Sequence, residues 1–415
     1  MNHLKKRVVI TGIGAVTPIG ITLDEIEKSL RESTSGIRLI TRFDTEKLPV
    51  QFAGEAAQFH AEDFLDAKEI RRNDRFIQMC LAATDMAVKD SGIPLARLHH
   101  AGVAIGVGLG GLYTIEETAV DFEHGGAKRV SPFLIPSILA NLASGQVSIR
   151  YRATGPNYAI SSACASGSQA IGQAYREIQS GRSDVWIAGG AEAPITPLSI
   201  AGFSSARALS RRNEQPLYAS RPFDQERDGF VLGEGAATFI IESLDSAIER
   251  NAKIYAEIIG FGIASDGYHV TEPEPNGEGA YLAMQEALKD AAISVSKIDY
   301  VNAHATSTML GDKVEAIAME RIFQTQMSST FVSSTKSLTG HACGAAGAIE
   351  TVFCSLMLTK NFLAPAFNLD NISPEFHFKS PSEKELTFQS NIVMNNSFGF
   401  GGINTSMLLK RMNPA

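Results

Sequence analysis

Short β-branched runs alternate with longer amphipathic runs along the whole of this 415-residue chain. A chain built that way must stack helices on sheets. It therefore predicts an α/β layered fold with mainly parallel or mixed sheets. In the first half, strands are expected at residues 7–10, 101–107, 158–161, 185–189 and 236–242. Helices are expected at 23–32, 70–91 and 166–180. The pattern restarts near Lys253, with strands at 254–260, 300–304, 330–333 and 392–396 and helices at 279–292, 310–323 and 345–359. The halves echo each other. Ile-Ser-Ser-Ala-Cys precedes one Gly/Ala-rich helix, and Val-Ser-Ser-Thr-Lys precedes another. The echo suggests an internal duplication, with units at 1–250 and 251–415. No Pro/Ser-rich linker separates them, so two halves sharing one body are expected.

Lys5, Lys6 and Arg7 precede an apolar run, a superficial likeness to a signal peptide. That run is short, β-branched and interrupted by Gly12 and Gly14. It reads as a buried first strand ending in a glycine turn. No apolar stretch reaches the ~18 residues a membrane span needs. Lys and Arg number 37 against 45 Asp and Glu, a net charge of −8, which disfavours general binding to nucleic acid or an anionic membrane. The four cysteines, Cys80, Cys164, Cys343 and Cys354, show no CxxC spacing. They suggest neither a zinc site nor a disulfide framework, and a reducing, cytoplasmic setting is expected, with a mature organellar form as the alternative.

Cys164 stands where the run 158–161 turns into the helix at 166–180, on a sharp turn among Ala163, Ala165, Ser166 and Gly167. Free N–H groups and the helix dipole at such a turn favour a thiolate. Small neighbours let a substrate come close. Cys164 is therefore the candidate nucleophile, on a turn like the nucleophile elbow of hydrolases. Cys80 and Cys354 fall mid-helix among apolar residues and read as core, whereas Cys343 is ambiguous. His304 ends a short strand, the place where α/β folds put their sites. His341 lies in a polar loop leading into a Gly/Ala-rich helix. The two histidines lack the spacing of a zinc helix, and no metal is expected. Near the C-terminus, Gly399, Gly401 and Gly402 surround Phe400 in a turn that can aim a main-chain N–H at a developing oxyanion. A plain structural hairpin is the alternative.

At these residues the chain resembles the elongating β-ketoacyl-acyl-carrier-protein synthases of type II fatty acid synthesis, condensing enzymes of the thiolase superfamily. The resemblance runs from Val8 almost to the C-terminus. It rests on Ser-Ala-Cys-Ala-Ser-Gly at Cys164, Arg-Pro-Phe-Asp at 221–224, Asp-Gly-Phe-Val-Leu-Gly-Glu-Gly at 228–235 and Asn-Ala-His-Ala-Thr-Ser-Thr at 302–308. Ser-Thr-Lys-Ser-Leu-Thr-Gly-His at 334–341, Gly-Ala-Ala-Gly at 344–347 and Asn-Ser-Phe-Gly-Phe-Gly-Gly-Ile-Asn at 396–404 complete it.

The resemblance implies a thiolase-like fold of two similar halves, layered α/β/α/β/α, in a homodimer that needs no cofactor. It implies that Cys164 takes an acyl chain from acyl carrier protein. His304 and His341 then hydrogen-bond the malonyl thioester and stabilise the enolate left by CO₂, while Lys336 and Glu350 order the site. The N–H groups of Cys164 and Phe400 form the oxyanion hole, and the Phe400 side chain gates the acyl channel. Thr306 and Thr308 contact the pantetheine arm, and Leu109 and Phe398 complete the substrate contacts, Leu109 at the floor of the acyl pocket. The acidic carrier protein docks through a local basic patch, with Lys68, Arg71, Arg72 and Arg207 as candidates.

Ala305 stands where the family more often has Gly, Met309 where Pro is frequent and Ile403 where Thr is common. These departures bear on the pantetheine channel and the gating loop. A ketosynthase of a polyketide or aryl-polyene pathway is the nearest alternative. The presence of Cys164 argues against a non-catalytic partner subunit, and His341 argues against a chain-initiating synthase. Thr-Gly-Ile-Gly-Ala-Val at 11–16 lacks the third glycine of a dinucleotide fingerprint, which disfavours a nicotinamide oxidoreductase. No second cysteine lies near the C-terminal glycine turn, which disfavours a degradative thiolase.

Overall fold

The computed structural model describes residues 5–412. Its strands are β1 (Val8–Val16), β2 (Ile37–Leu39), β3 (Phe52–Gly54), β4 (Gly102–Gly106), β5 (Asn157–Ile160) and β6 (Val185–Glu192), followed by β7 (Gly235–Ser243), β8 (Ala256–Ser265), β9 (Tyr300–Asn302), β10 (Phe331–Ser333), β11 (Ile392–Gly399) and β12 (Ile403–Lys410). Ten of them form one sheet in the order β10-β9-β11-β12-β8-β1-β7-β6-β4-β5, and β2 and β3 pair separately.

That order is a palindrome of two five-strand units. Outward from the centre, β1-β7-β6-β4-β5 is matched by β8-β12-β11-β9-β10. The pairings match as well. The inner pairs β1–β7, β6–β7, β8–β12 and β11–β12 are antiparallel, and the outer pairs β4–β6, β4–β5, β9–β11 and β9–β10 are parallel. The units join where β1 runs antiparallel to β8, with Val8 opposite Ile258. Residues from the inner faces of both units pack around two central helices, Ser166–Gln179 and Ala346–Lys360. Outer helices cover the remaining faces, Arg75–Ser91 on the first unit and Glu278–Ala291 with Met309–Phe323 on the second. The expected five layers are present.

The first strand corrects the sequence reading. It does not turn at Gly12 and Gly14 but runs through both to Val16. Those glycines admit the outer helix: a Cβ at Gly12 would lie 2.4 Å from the Ala87 carbonyl oxygen, and one at Gly14 2.0 Å from that of Ala83. The second unit repeats the arrangement at Gly260 and Gly262, against the Ala287 and Ala283 carbonyls at 2.3 and 2.0 Å. The helix expected at 70–91 is also two, Ala67–Arg72 and Arg75–Ser91. Asp74 interrupts it, because its carboxylate accepts the Phe76 N–H and also the N–H and hydroxyl of Thr114. Helix Leu112–Gly125 was not foreseen. It has no buried residue, and Ile115, Val120 and Phe122 stand exposed on it.

Candidate active site

The site forms at the inner ends of parallel strands from both units. β5 ends at Ile160, and the chain then turns sharply into helix Ser166–Gln179. Ser166 Oγ ties this turn, accepting the Ser162 N–H at 2.9 Å and donating to the Ala163 carbonyl at 2.6 Å. Ala163 sits in the left-handed region at φ 48°, a strained conformation for a residue with a Cβ. The strain aims Cys164 inward.

His341 arrives from the other unit. Its main-chain N–H donates to the Val231 carbonyl at 2.7 Å, and its carbonyl accepts the Gly233 N–H at 2.9 Å. The 228–235 motif is thus a rail on which the histidine is hung. Its Nε2 lies 2.9 Å from Cys164 Sγ. His304 follows β9, with its ring centroid 5.3 Å from that of His341 and nearly perpendicular to it. Phe398 and Phe230 flank the pair, at 5.7 Å from His304 and 5.5 Å from His341. Lys336 Nζ and Glu350 Oε1 form a buried ion pair beneath them.

Electrostatics here follow from burial. Burial pushes the Cys164 thiol up to about 12. The Lys336 ammonium and the Phe400 N–H pull the other way, and the Glu192 and Glu350 carboxylates add to the rise. Burial thus works against the thiolate that the helix start favours. Burial and the Lys336 ammonium also hold both histidines well below 6.5, so both are neutral at physiological pH. Glu350 is raised to about 7 by burial, against the opposing pull of Lys336.

The glycine turn at 399–402 joins β11 to β12 as a hairpin and also closes over the nucleophile. A Cβ at Gly399 would meet the Ser162 carbonyl oxygen at 2.5 Å and the Cys164 nitrogen at 3.2 Å. The Phe400 N–H faces the Cys164 sulfur, and the Phe400 side chain is 44% exposed at the surface. Thr306 and Thr308 are half-buried, with hydroxyls 3.3 Å apart, beside the exposed Met309. Leu109 is 45% exposed on this chain, and its N–H donates to Glu192 at 3.0 Å.

The basic residues divide. Lys68, Arg71 and Arg207 are exposed. Arg72 is half-buried, its guanidinium 4.3 Å above the Phe133 ring.

Three buried carboxylates escaped the sequence reading. Glu315 accepts the N–H groups of His304 at 2.9 Å and Ala305 at 2.7 Å. Asp312 accepts those of Ser307 and Phe223 at 3.1 and 2.8 Å, and so ties the 221–224 motif to the loop after His304. Glu192 accepts four N–H groups around Cys164. The available signal was an acid inside an apolar run, as in Val-Glu-Ala-Ile at 314–317.

A deep thiol facing two neutral imidazoles, over a buried ammonium and beneath a glycine-built N–H, defines a thioester-handling condensing site. The chain belongs to the β-ketoacyl synthase family: residues 5–247 match the β-ketoacyl synthase N-terminal domain and residues 255–370 the C-terminal domain. It is 44% identical over 412 residues, 99% of each chain, to a Synechocystis protein named 3-oxoacyl-[acyl-carrier-protein] synthase 2. It is 45% identical to one of that name from Coxiella burnetii, over 98% of this chain and 99% of the relative. Among solved structures, a β-ketoacyl synthase from Burkholderia phymatum superposes with a TM-score of 0.90 at 36% identity, covering 98% of this chain and all of the other. A ketosynthase structure described as a type II polyketide acyl-carrier protein in complex with its ketosynthase, bound to the hexaketide, superposes at 0.91 with 30% identity, covering 98% of this chain and all of the other.

Proposed function

We propose that this chain is a 3-oxoacyl-[acyl-carrier-protein] synthase that lengthens fatty acyl chains by two carbons through decarboxylative condensation. The observation that carries the reading is the Cys164 Sγ to His341 Nε2 distance of 2.9 Å, with His304 beside it. The relatives named 3-oxoacyl-[acyl-carrier-protein] synthase 2, at 44–45% identity, support a fatty acyl rather than a polyketide substrate.

In the first half-reaction Cys164 sulfur attacks the acyl thioester carbon. The thiol proton passes to the departing pantetheine sulfur, leaving acyl-Cys164 and free carrier thiol. The N–H groups of Cys164 and Phe400 stabilise the tetrahedral oxyanion. Malonyl carrier protein then enters past Thr306 and Thr308. Its thioester carbonyl accepts hydrogen bonds from the neutral His304 and His341 imidazoles. The C–C bond to the carboxylate breaks, CO₂ leaves and an enolate remains. The enolate carbon attacks the acyl-Cys164 carbonyl, the C–S bond breaks, and one proton is taken up to restore the thiol. Burial, with the Lys336 ammonium beside them, keeps both imidazoles neutral and therefore able to donate.

Carrier protein docks on Lys68, Arg71 and Arg207. The exposed Ile115, Val120 and Phe122 on helix Leu112–Gly125 fit an interface with a second copy of the chain. The units 1–250 and 251–415 are read as duplicated halves, on the palindromic strand order. Among the described residues no helix is long and apolar enough to cross a membrane, and a cytoplasmic setting is proposed.

The test is product mass. With acyl- and malonyl-carrier proteins, a single 3-oxoacyl product two carbons longer is expected. A poly-β-keto chain would favour the polyketide alternative instead, and no CO₂ release would overturn both.

A further inference from the structure

Glu192 ends β6 after a run in which every residue is buried, and it is itself 0% exposed. Among the described residues no cationic side chain pairs with it. Its carboxylate instead accepts four main-chain N–H groups: Oε2 takes Gly108 at 2.7 Å and Gly344 at 3.0 Å, and Oε1 takes Leu109 at 3.0 Å and Gly110 at 3.1 Å. Three of these donors lie on the turn after β4, in the first unit. The fourth lies in the second unit, three residues beyond His341.

The two loops close on the carboxylate at the limit of approach. A Cβ at Gly108 would lie 2.5 Å from Glu192 Oε2 and 3.5 Å from the Ala163 carbonyl oxygen, next to the nucleophile. A Cβ at Gly344 would lie 2.6 Å from the same carboxylate oxygen and 2.4 Å from the Gly108 nitrogen. Burial raises the Glu192 carboxyl to about 7, against the four N–H groups that favour its charged form; ionised above that pH, it offers acceptor sites for four donors. A glutamine in its place would turn an NH₂ group toward two of them.

We propose that Glu192 is a positioning residue for the condensation: its carboxylate ties the 108–110 turn of one unit to the 341–344 loop of the other, and so holds the His341 imidazole against the Cys164 thiol. This rests on the reading of Cys164 and His341 given above. The same charge opposes thiolate formation, together with Glu350, whereas Lys336 and the Phe400 N–H favour it. His341, His304 and Cys343 are the other titratable groups of the cluster.

Glu192→Gln and Glu192→Ala test this by two readouts. The first is the pH profile of Cys164 alkylation by iodoacetamide, mapped by mass spectrometry. Loss of the charge is expected to move it to lower pH, giving roughly three- to tenfold faster alkylation at pH 8. The second is condensation: kcat is expected to fall roughly 10- to 100-fold, as for a misplaced catalytic group, with KM for acyl carrier protein unchanged. Folded variants with wild-type alkylation and wild-type kcat would overturn the proposal. If neither variant folds, Gly344→Ala keeps the carboxylate but pushes a Cβ between the clamped loops. It is expected to lower kcat without changing KM, and a wild-type kcat there, or failure of all three to fold, refutes a positioning role. The alkylation arm needs no carrier substrate. A wild-type enzyme that alkylates normally but does not condense would therefore refute the function and not the clamp.

Discussion

Cys164 Sγ and His341 Nε2 lie 2.9 Å apart although 177 positions separate them in the chain. Each belongs to a different five-strand unit, and each precedes a different central helix. In the function proposed above, Cys164 is the acyl acceptor. Intact-mass spectrometry after mixing with acyl carrier protein is expected to show one acyl adduct on the wild-type chain and none on Cys164→Ala. An undiminished adduct in the variant would exclude this cysteine.

In the proposed mechanism the histidines serve the second half-reaction. His304→Ala and His341→Ala are expected to accept the acyl chain yet lose malonyl decarboxylation by roughly 10²–10⁴-fold, the usual size of such terms. Labelled CO₂ release reads this directly. Because burial and Lys336 hold both imidazoles well below 6.5, they stay neutral as pH falls through 6.5. Decarboxylation is thus expected to persist at pH 6, and a half-loss centred at 6.5 would contradict the assigned environment.

Lys336 and Glu350 are almost wholly buried as a pair. Removing one partner leaves an uncompensated charge, which costs about 3–5 kcal/mol. Lys336→Met is therefore expected to lower the denaturation midpoint strongly, and the double change Lys336→Met with Glu350→Leu to recover most of it. Both variants are expected to remain inactive in decarboxylation. A double variant no more stable than the single one would show that the charges are not coupled.

Glu315 supplies a pH signature. Burial raises its carboxyl from 4.5 to about 7. The folded state thus holds a proton that the unfolded chain releases between those values. Its stabilising contribution is complete below 4.5 and is lost as pH rises through about 7. Relative to Glu315→Gln, which cannot ionise, wild-type Tm is expected to be highest at pH 5 and to decline toward pH 8. A difference independent of pH would rule this out.

For docking, charge reversal at Lys68 and Arg71 is expected to raise KM for carrier protein severalfold at low salt, with kcat unchanged and the effect fading as salt rises. Arg72→Ala should act differently, lowering stability through the lost contact with Phe133 and leaving KM near wild type. Steady-state kinetics and thermal melts on the same samples separate the two.

The sequence by itself determined the layered α/β class and singled out Cys164, His304 and His341, which the fold brings together, because each depends on local pattern: a strand, a small-residue turn, a helix start. It also carried the family motifs that name Lys336, Glu350 and Phe400. Other features depended on which elements meet, and only the tertiary structure decided them. Gly12 and Gly14 read locally as a turn, yet they exist to let a helix backbone reach within contact of the strand. Glu192, Glu315 and Asp312 read as ordinary acids, yet folding buries them under main-chain N–H groups from loops distant in sequence. A helix N-terminus favours a thiolate through a field that sequence can foresee, but desolvation depends on everything packed around the sulfur, and here it pushes the thiol up.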